Sequence, residues 1–113
     1  PLGPPDAPTN LQFTSLRQTN QLGLKWIIPN RRLADSIDVE QSIDGAAYRR
    51  IQSLPSSADS TLVVGLQLGS RYAFRIRTLN RAGASGYSNV VERAVVATGL
   101  EPQANALVRI QPN

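Results

Sequence analysis

In RYAFRIRTLN, residues 71–80, side chains alternate with period two: Tyr72, Phe74 and Ile76 share one parity, and Arg71, Arg75 and Arg77 the other. Successive side chains take opposite faces in an extended strand, so this segment has one covered face and one wet face. The pattern recurs along the chain. LQFTSL (11–16) alternates after a proline-rich lead-in, which suits an edge strand. In QLGLKWII (21–28), Leu22, Leu24 and Trp26 share a face, and Pro29-Asn30 closes the strand. SIDVEQS (36–42) sets Ile37 and Val39 against Asp38 and Glu40. Asp44-Gly45 supplies the positive φ of a tight hairpin turn, with Ala47–Ile51 as the return strand. SLPSSADS (53–60) reads as a loop, and TLVVGL follows it with Leu62 and Val64 on a common face. Beyond the turn NRAGASGYSN, a last strand is expected from Asn89 to Ala97. No helical period of 3.6 runs for about ten residues or more. Seven strands at intervals of about ten residues predict an antiparallel sandwich.

A chain of 113 residues holds one domain with one modest core. No apolar run nears the roughly 20 residues of a membrane span, and PLGPPDAPTN does not read as a signal peptide. Cys, His and Met are absent, which removes a disulfide framework, a thiolate nucleophile, thiolate zinc ligation and most acid–base chemistry near neutral pH. The net charge is +4, and Lys25 is the only lysine, so the basic excess is carried by arginine. Without a dense basic run, that charge favours solubility over nucleic-acid binding.

The order of landmarks resembles a fibronectin type III domain. The carrying residues are Pro5, Pro8, Leu11 and Phe13; LGLKW ending in Trp26; Ile37 and Val39; Gly65-Leu66; Gly69, Tyr72, Phe74 and Ile76; and Asn80 with Gly83. Leu68 stands where the family commonly has proline, and Thr78 where it commonly has alanine. The resemblance implies an all-β, seven-stranded antiparallel immunoglobulin-like sandwich over residues 5–97. Residues 1–4 are then a linker or cloning remnant, and 98–113 (TGLEPQ, then ALVRI) a linker or the start of a following element. Trp26, Ile37, Val39, Leu62, Tyr72, Phe74 and Ile76 are the expected core. Leu66 and Tyr72 form the expected tyrosine corner, with a buried ring whose hydroxyl bonds backbone near Leu66.

Catalytic residues are not expected. A hydroxyl nucleophile needs an adjacent base, and the chain offers only Lys25 in mid-strand. Asp38 and Glu40 share a face without a cleft for a sugar. GASG lies between strands, without a helix N-terminus to hold an anion. Asp35, Asp38, Glu40 and Asp44 could ligate calcium only by converging, and the strand spacing sets them apart, so neither metal nor cofactor is expected. Asp38 and Glu40 read instead as a solvated strand face. In the family's strand order they lie opposite Arg75 and Arg77, as a charge ladder that fixes register.

The resemblance also gathers the loops 29–35, 53–59 and 80–87 at one end, displaying Arg31, Arg32, Leu33, Arg81 and Tyr87. Arginine and tyrosine dominate binding hot spots, so these are the candidate partner-binding residues. The family's integrin-binding Arg-Gly-Asp is replaced by Arg81-Ala82-Gly83 and is not carried over. The implied role is a non-catalytic spacer or protein-interaction module, monomeric by itself, within a larger extracellular, cell-surface or virion-surface protein. Bacterial surface, carbohydrate-active and phage tail proteins are among its possible parents. The implied partners are other domains of the same chain or assembly, with a protein or glycan ligand at the loop end. The alternative is a polyanion- or carbohydrate-binding module using Arg31, Arg32 and Arg81.

Overall fold

The computed structural model describes residues 3–14 and 20–95. Two antiparallel sheets face each other. One has the order β1-β2-β5, from β1 (Thr9–Thr14), β2 (Leu22–Ile27) and β5 (Ser60–Val63). The other has the order β4-β3-β6, from β4 (Arg49–Pro55), β3 (Ser36–Ile43) and β6 (Arg71–Asn80), with β7 (Gly83–Ala84) and β8 (Val91–Ala94) both beside β6. A single 3-10 turn, Arg31–Leu33, interrupts the connection from β2 to β3.

The all-β sandwich stands as expected, with its last strand split. β7 pairs with the end of β6 and β8 with its start. Between them Ser85 and Ser88 keep the edge of β6 satisfied. Their N–H groups donate to Thr78 and Ile76 carbonyls, both at 2.8 Å. Their hydroxyls accept from the N–H of Thr78 (2.9 Å) and of Ile76 (3.0 Å). Hydroxyls thus replace ladder carbonyls where the strand bulges away, so the N–H groups of Ile76 and Thr78 remain paired.

Parity delivers the core. Leu22, Leu24 and Trp26 of β2, Ile37 and Val39 of β3, and Tyr72, Phe74 and Ile76 of β6 are all buried between the sheets. β5 corrects the expectation: Leu62 and Val64 are exposed, and Val63 is the buried residue. Directly opposed residues share a face, and β5 pairs Leu22 with Val63 and Gly23 with Leu62. A shift of one residue therefore reverses the facing of the whole strand. β4 also runs to Pro55 rather than ending at Ile51, because Leu54 pairs with Ile37 and extends the ladder. Its outer edge tolerates the proline. The linker-like TGLEPQ, the segment ALVRI and the expected strand end at 96–97 lie outside the described residues.

Two turns set the geometry at one end. Asp44 and Gly45 both have positive φ (52° and 81°), and Ala46 N–H closes the turn on Ile43 carbonyl at 3.0 Å. Buried Tyr72 accepts at its hydroxyl from Gln67 N–H at 2.8 Å, which pins the connection between β5 and β6 to the core as the tyrosine corner requires. Tyr72→Phe leaves that N–H without its partner, and the expected loss is about 1 kcal/mol or more. Urea unfolding measures it; an unchanged midpoint would mean the corner contributes nothing.

Candidate functional site

The outer face of the larger sheet carries a layered cluster. β3 and β6 run antiparallel with Asp38 opposite Arg77 and Glu40 opposite Arg75. Arg75 Nε donates to Glu40 Oε1 at 2.9 Å, and Tyr87 hydroxyl donates to Glu40 Oε2 at 3.0 Å. Asp38 lies between Arg77 Nε (3.6 Å) and Arg50 Nη1 (3.7 Å). The guanidinium of Arg75 is sandwiched between two rings, 3.9 Å from the centroid of Tyr48 and 3.7 Å from that of Tyr87. Arg77 stands 5.1 Å from the Tyr87 ring.

The expected solvated strand face is thereby corrected. Asp38 and Glu40 are only 4% and 7% exposed. They point away from the core, as expected, yet arginine stems and tyrosine rings lie over them and exclude water. Long amphipathic side chains cover a sheet in this way while their charged heads stay near solvent. Such a cluster supports register more than net stability, since desolvation offsets much of the ion-pair attraction. Three arginines face two carboxylates here, so the acids are neutralised by side chains. Among the described residues no group of three or more potential metal ligands comes together.

The five residues expected at the loop end separate. Arg31 is turned inward: its Nη1 donates to Ala58 carbonyl at 3.0 Å and to Ser56 carbonyl. Trp26 Nε1 donates to the same Ala58 carbonyl at 3.2 Å, so Arg31 ties the 53–59 connection to the core. Tyr87 has left the tip for the sheet face. Arg32, Leu33 and Arg81 remain exposed. Asn80 holds their backbones together, its Nδ2 donating to Leu33 carbonyl at 2.8 Å and its Oδ1 accepting from Ala82 N–H at 2.8 Å. Among the described residues neither Arg32 nor Arg81 makes an ion pair. With Arg31 committed to carbonyls, the tip displays two arginines around a leucine, which is sparse for a polyanion site.

Tyr48 was not legible as a site residue. A two-residue hairpin on Asp44-Gly45 would pair Ser42 with Ala47 and turn Tyr48 toward the core. The chain instead pairs Glu40 with Arg50 and Gln41 with Arg49, one residue out of that register, and Tyr48 joins the outer face.

An antiparallel sandwich of two sheets with a tyrosine corner is the architecture of an immunoglobulin-like domain. The fibronectin type III domain profile matches residues 6–94, and the chain belongs to that family. It is similar to cardiac-type myosin-binding protein C from Gallus gallus, 33% identical over 101 residues covering 85% of this chain and 8% of that protein. The Rattus norvegicus protein of the same name is 36% identical over 91 residues, covering 76% of this chain and 7% of its own length. This chain therefore spans less than a tenth of the curated relatives it matches. The twitchin kinase region from C. elegans superposes with a TM-score of 0.71 at 17% identity, over 88% of this chain and 18% of that one. The chicken CNTN1 FN1-FN3 domains superpose with a TM-score of 0.72 at 16% identity, over 83% and 33%. Both show the same fold. Fibronectin type III domains of myosin-binding protein C are generally non-catalytic modules.

One expectation is overturned by these relatives. Myosin-binding protein C is an intracellular sarcomere protein, so the extracellular, cell-surface or virion-surface setting is withdrawn.

Proposed function

We propose that this chain is a non-catalytic module working in series with other domains of a much longer protein, and that Arg32, Leu33 and Arg81 form its contact with a protein neighbour. The observation that carries this reading is where the chain comes in and goes out. Residues 3–8 run along the loop tip: Asn80 Nδ2 donates to Gly3 carbonyl at 3.0 Å, Thr78 hydroxyl to Asp6 carbonyl at 3.0 Å, and Asn30 Nδ2 to the Asp6 carboxylate. Val95 lies at the other end, where Gly69 N–H donates to its carbonyl at 2.6 Å and its own N–H donates to Ser70 carbonyl at 2.9 Å. The ten residues of β6 separate these ends by about 30 Å.

Tension or spacing along such a chain passes through the whole sandwich, and whatever precedes residue 3 arrives beside Arg32, Leu33 and Arg81. Their chemistry, two arginines flanking an exposed leucine, suits a small polar-rimmed protein contact. The much greater length of the relatives supports a serial arrangement, and their name supports a parent that binds myosin. Neither the relatives nor the tip geometry favours a glycan ligand or a bacterial or phage parent.

Comparing amide spectra of this chain alone with those of a longer parent fragment carrying the preceding domain tests the reading. Shifts are expected at residues 3–8, 31–34 and 80–83, and Arg32→Glu with Arg81→Glu should reduce them without lowering the melting midpoint. Identical spectra at those positions would refute the contact.

A further inference from the structure

The charges of the layered cluster do not balance. Among the described residues, Asp38 and Glu40 are the only acids within ion-pair distance of Arg50, Arg75 and Arg77, so three guanidinium groups meet two carboxylates. Glu40 is fully engaged: its Oε1 accepts from Arg75 Nε at 2.9 Å and its Oε2 from the Tyr87 hydroxyl at 3.0 Å. Two rings close over Arg75. The surplus lies in the next row, where Ser53, Asp38 and Arg77 stand opposed across β4, β3 and β6. There Arg77 Nε is 3.6 Å from Asp38 Oδ2, and Arg50 reaches in diagonally with Nη1 3.7 Å from Oδ1. Both separations are too long for a hydrogen bond. Arg77 Nε is buried without an acceptor, and neither arginine donates a hydrogen bond to any described residue.

We propose that Arg50, Arg77 and Ser53 bind a carboxylate of a protein partner, an aspartate or glutamate side chain laid on the outer face of the larger sheet. In this row a single negative charge, on Asp38, lies between two positive ones, and one carboxylate brings the group to neutrality. Guanidinium N–H groups match the two oxygens of a carboxylate in geometry. A phosphate dianion would overshoot the balance beside the covered Asp38. A cation would meet two guanidinium groups, and an apolar side chain would strip water from N–H donors that have no other acceptor. The donors are within reach of a partner: the Arg50 side chain is 63% exposed and that of Arg77 30%. Since Arg77 Nε is covered, its terminal nitrogens are left to meet the ligand. Ser53 is exposed on the same face, and its hydroxyl adds a third donor. Arg77 is already held between Asp38 and the Tyr87 ring, which lowers the ordering cost of binding. The contact uses the sheet face and not Arg32, Leu33 and Arg81, so it stands independently of the one proposed above.

The probe is N-acetyl-glutamate N-methylamide, which carries one carboxylate, titrated at constant ionic strength into the 113-residue chain. Saturable shifts are expected in the side-chain N–H signals of Arg50 and Arg77 and in the amides of Asp38, Ser53 and Arg77. The side-chain N–H of Arg75, already bonded to Glu40, should stay in place. Arg50→Gln, at a mostly exposed side chain, should keep the wild-type melting curve and weaken the response about twofold to fivefold. Arg81→Gln, at the loop tip, should leave the response unchanged. N-acetyl-glutamine N-methylamide, of the same shape without the charge, should leave these signals unmoved. The proposal would be overturned by any of four results: no saturable response to the glutamate probe, equal shifts with the glutamine probe, tighter binding of N-acetyl-O-phosphoserine N-methylamide, or an undiminished response in Arg50→Gln.

Discussion

Asp38→Lys with Glu40→Lys should destabilise the domain by about 3–5 kcal/mol or more, the scale of an uncompensated buried charge. Against a total stability of roughly 5–15 kcal/mol, that brings the chain close to unfolding. The reason lies in the burial of both acids beneath Arg75, Arg77 and Tyr87: a lysine there would meet guanidinium groups with little water to screen them. Adding Arg75→Glu and Arg77→Glu should recover part of the loss. Full recovery is not expected, because the swap removes the Tyr87 bond to Glu40 and the sandwich of Arg75 between two rings. Urea unfolding of the wild type, both doubles and the quadruple forms a cycle, with an expected coupling of about 0.5–3 kcal/mol. Strictly additive effects would mean that the acids and arginines do not act on one another. If the lysine double does not fold, Glu40→Gln and Arg75→Gln give the same cycle at lower cost.

Phe74→Ala should cost about 3–5 kcal/mol, the usual range for emptying a large aromatic site in a core. Phe74 is fully buried, with its ring edge-on to Phe13 at 6.2 Å and parallel to Tyr72 at 6.3 Å. Removing it opens a void between the two sheets and takes away the ring that packs beside the tyrosine corner. For a domain of this size the thermal midpoint should fall by well over 10 °C. Phe74→Leu, which refills much of the volume, should lose less than half as much. A loss below about 1 kcal/mol for the alanine variant would place the centre of the core elsewhere.

Much of this fold was legible because its signals are local. Alternation in RYAFRIRTLN and LGLKW names the buried face without knowledge of any neighbour, since a strand turns successive side chains to opposite sides. Asp44-Gly45 marks its turn because few residue pairs tolerate positive φ twice. Tyr72, six residues past Leu66 across Gly69, marks the corner in the same way. The opposition of Asp38 and Glu40 to Arg77 and Arg75 was legible as well, though only through the strand order that the family resemblance supplied.

The remainder depends on pairings between distant residues, which local pattern does not encode. TLVVGL alternates equally well in either facing, and only the pairing of Val63 with Leu22 assigns its buried side. Whether Asp38 and Glu40 are wet or covered rests on where the rings of Tyr48 and Tyr87 come to lie. One is set by a hairpin a residue out of simple register, the other by a bulged edge held through serine hydroxyls. Arg31 and Arg32 are neighbours of the same type, yet one is spent on the carbonyls of Ser56 and Ala58 and the other faces solvent. Strand, turn and core parity are thus properties of short segments of this sequence. The accessibility of its charged side chains follows from which segments the closed sandwich lays across one another, and so do the sites those side chains can form.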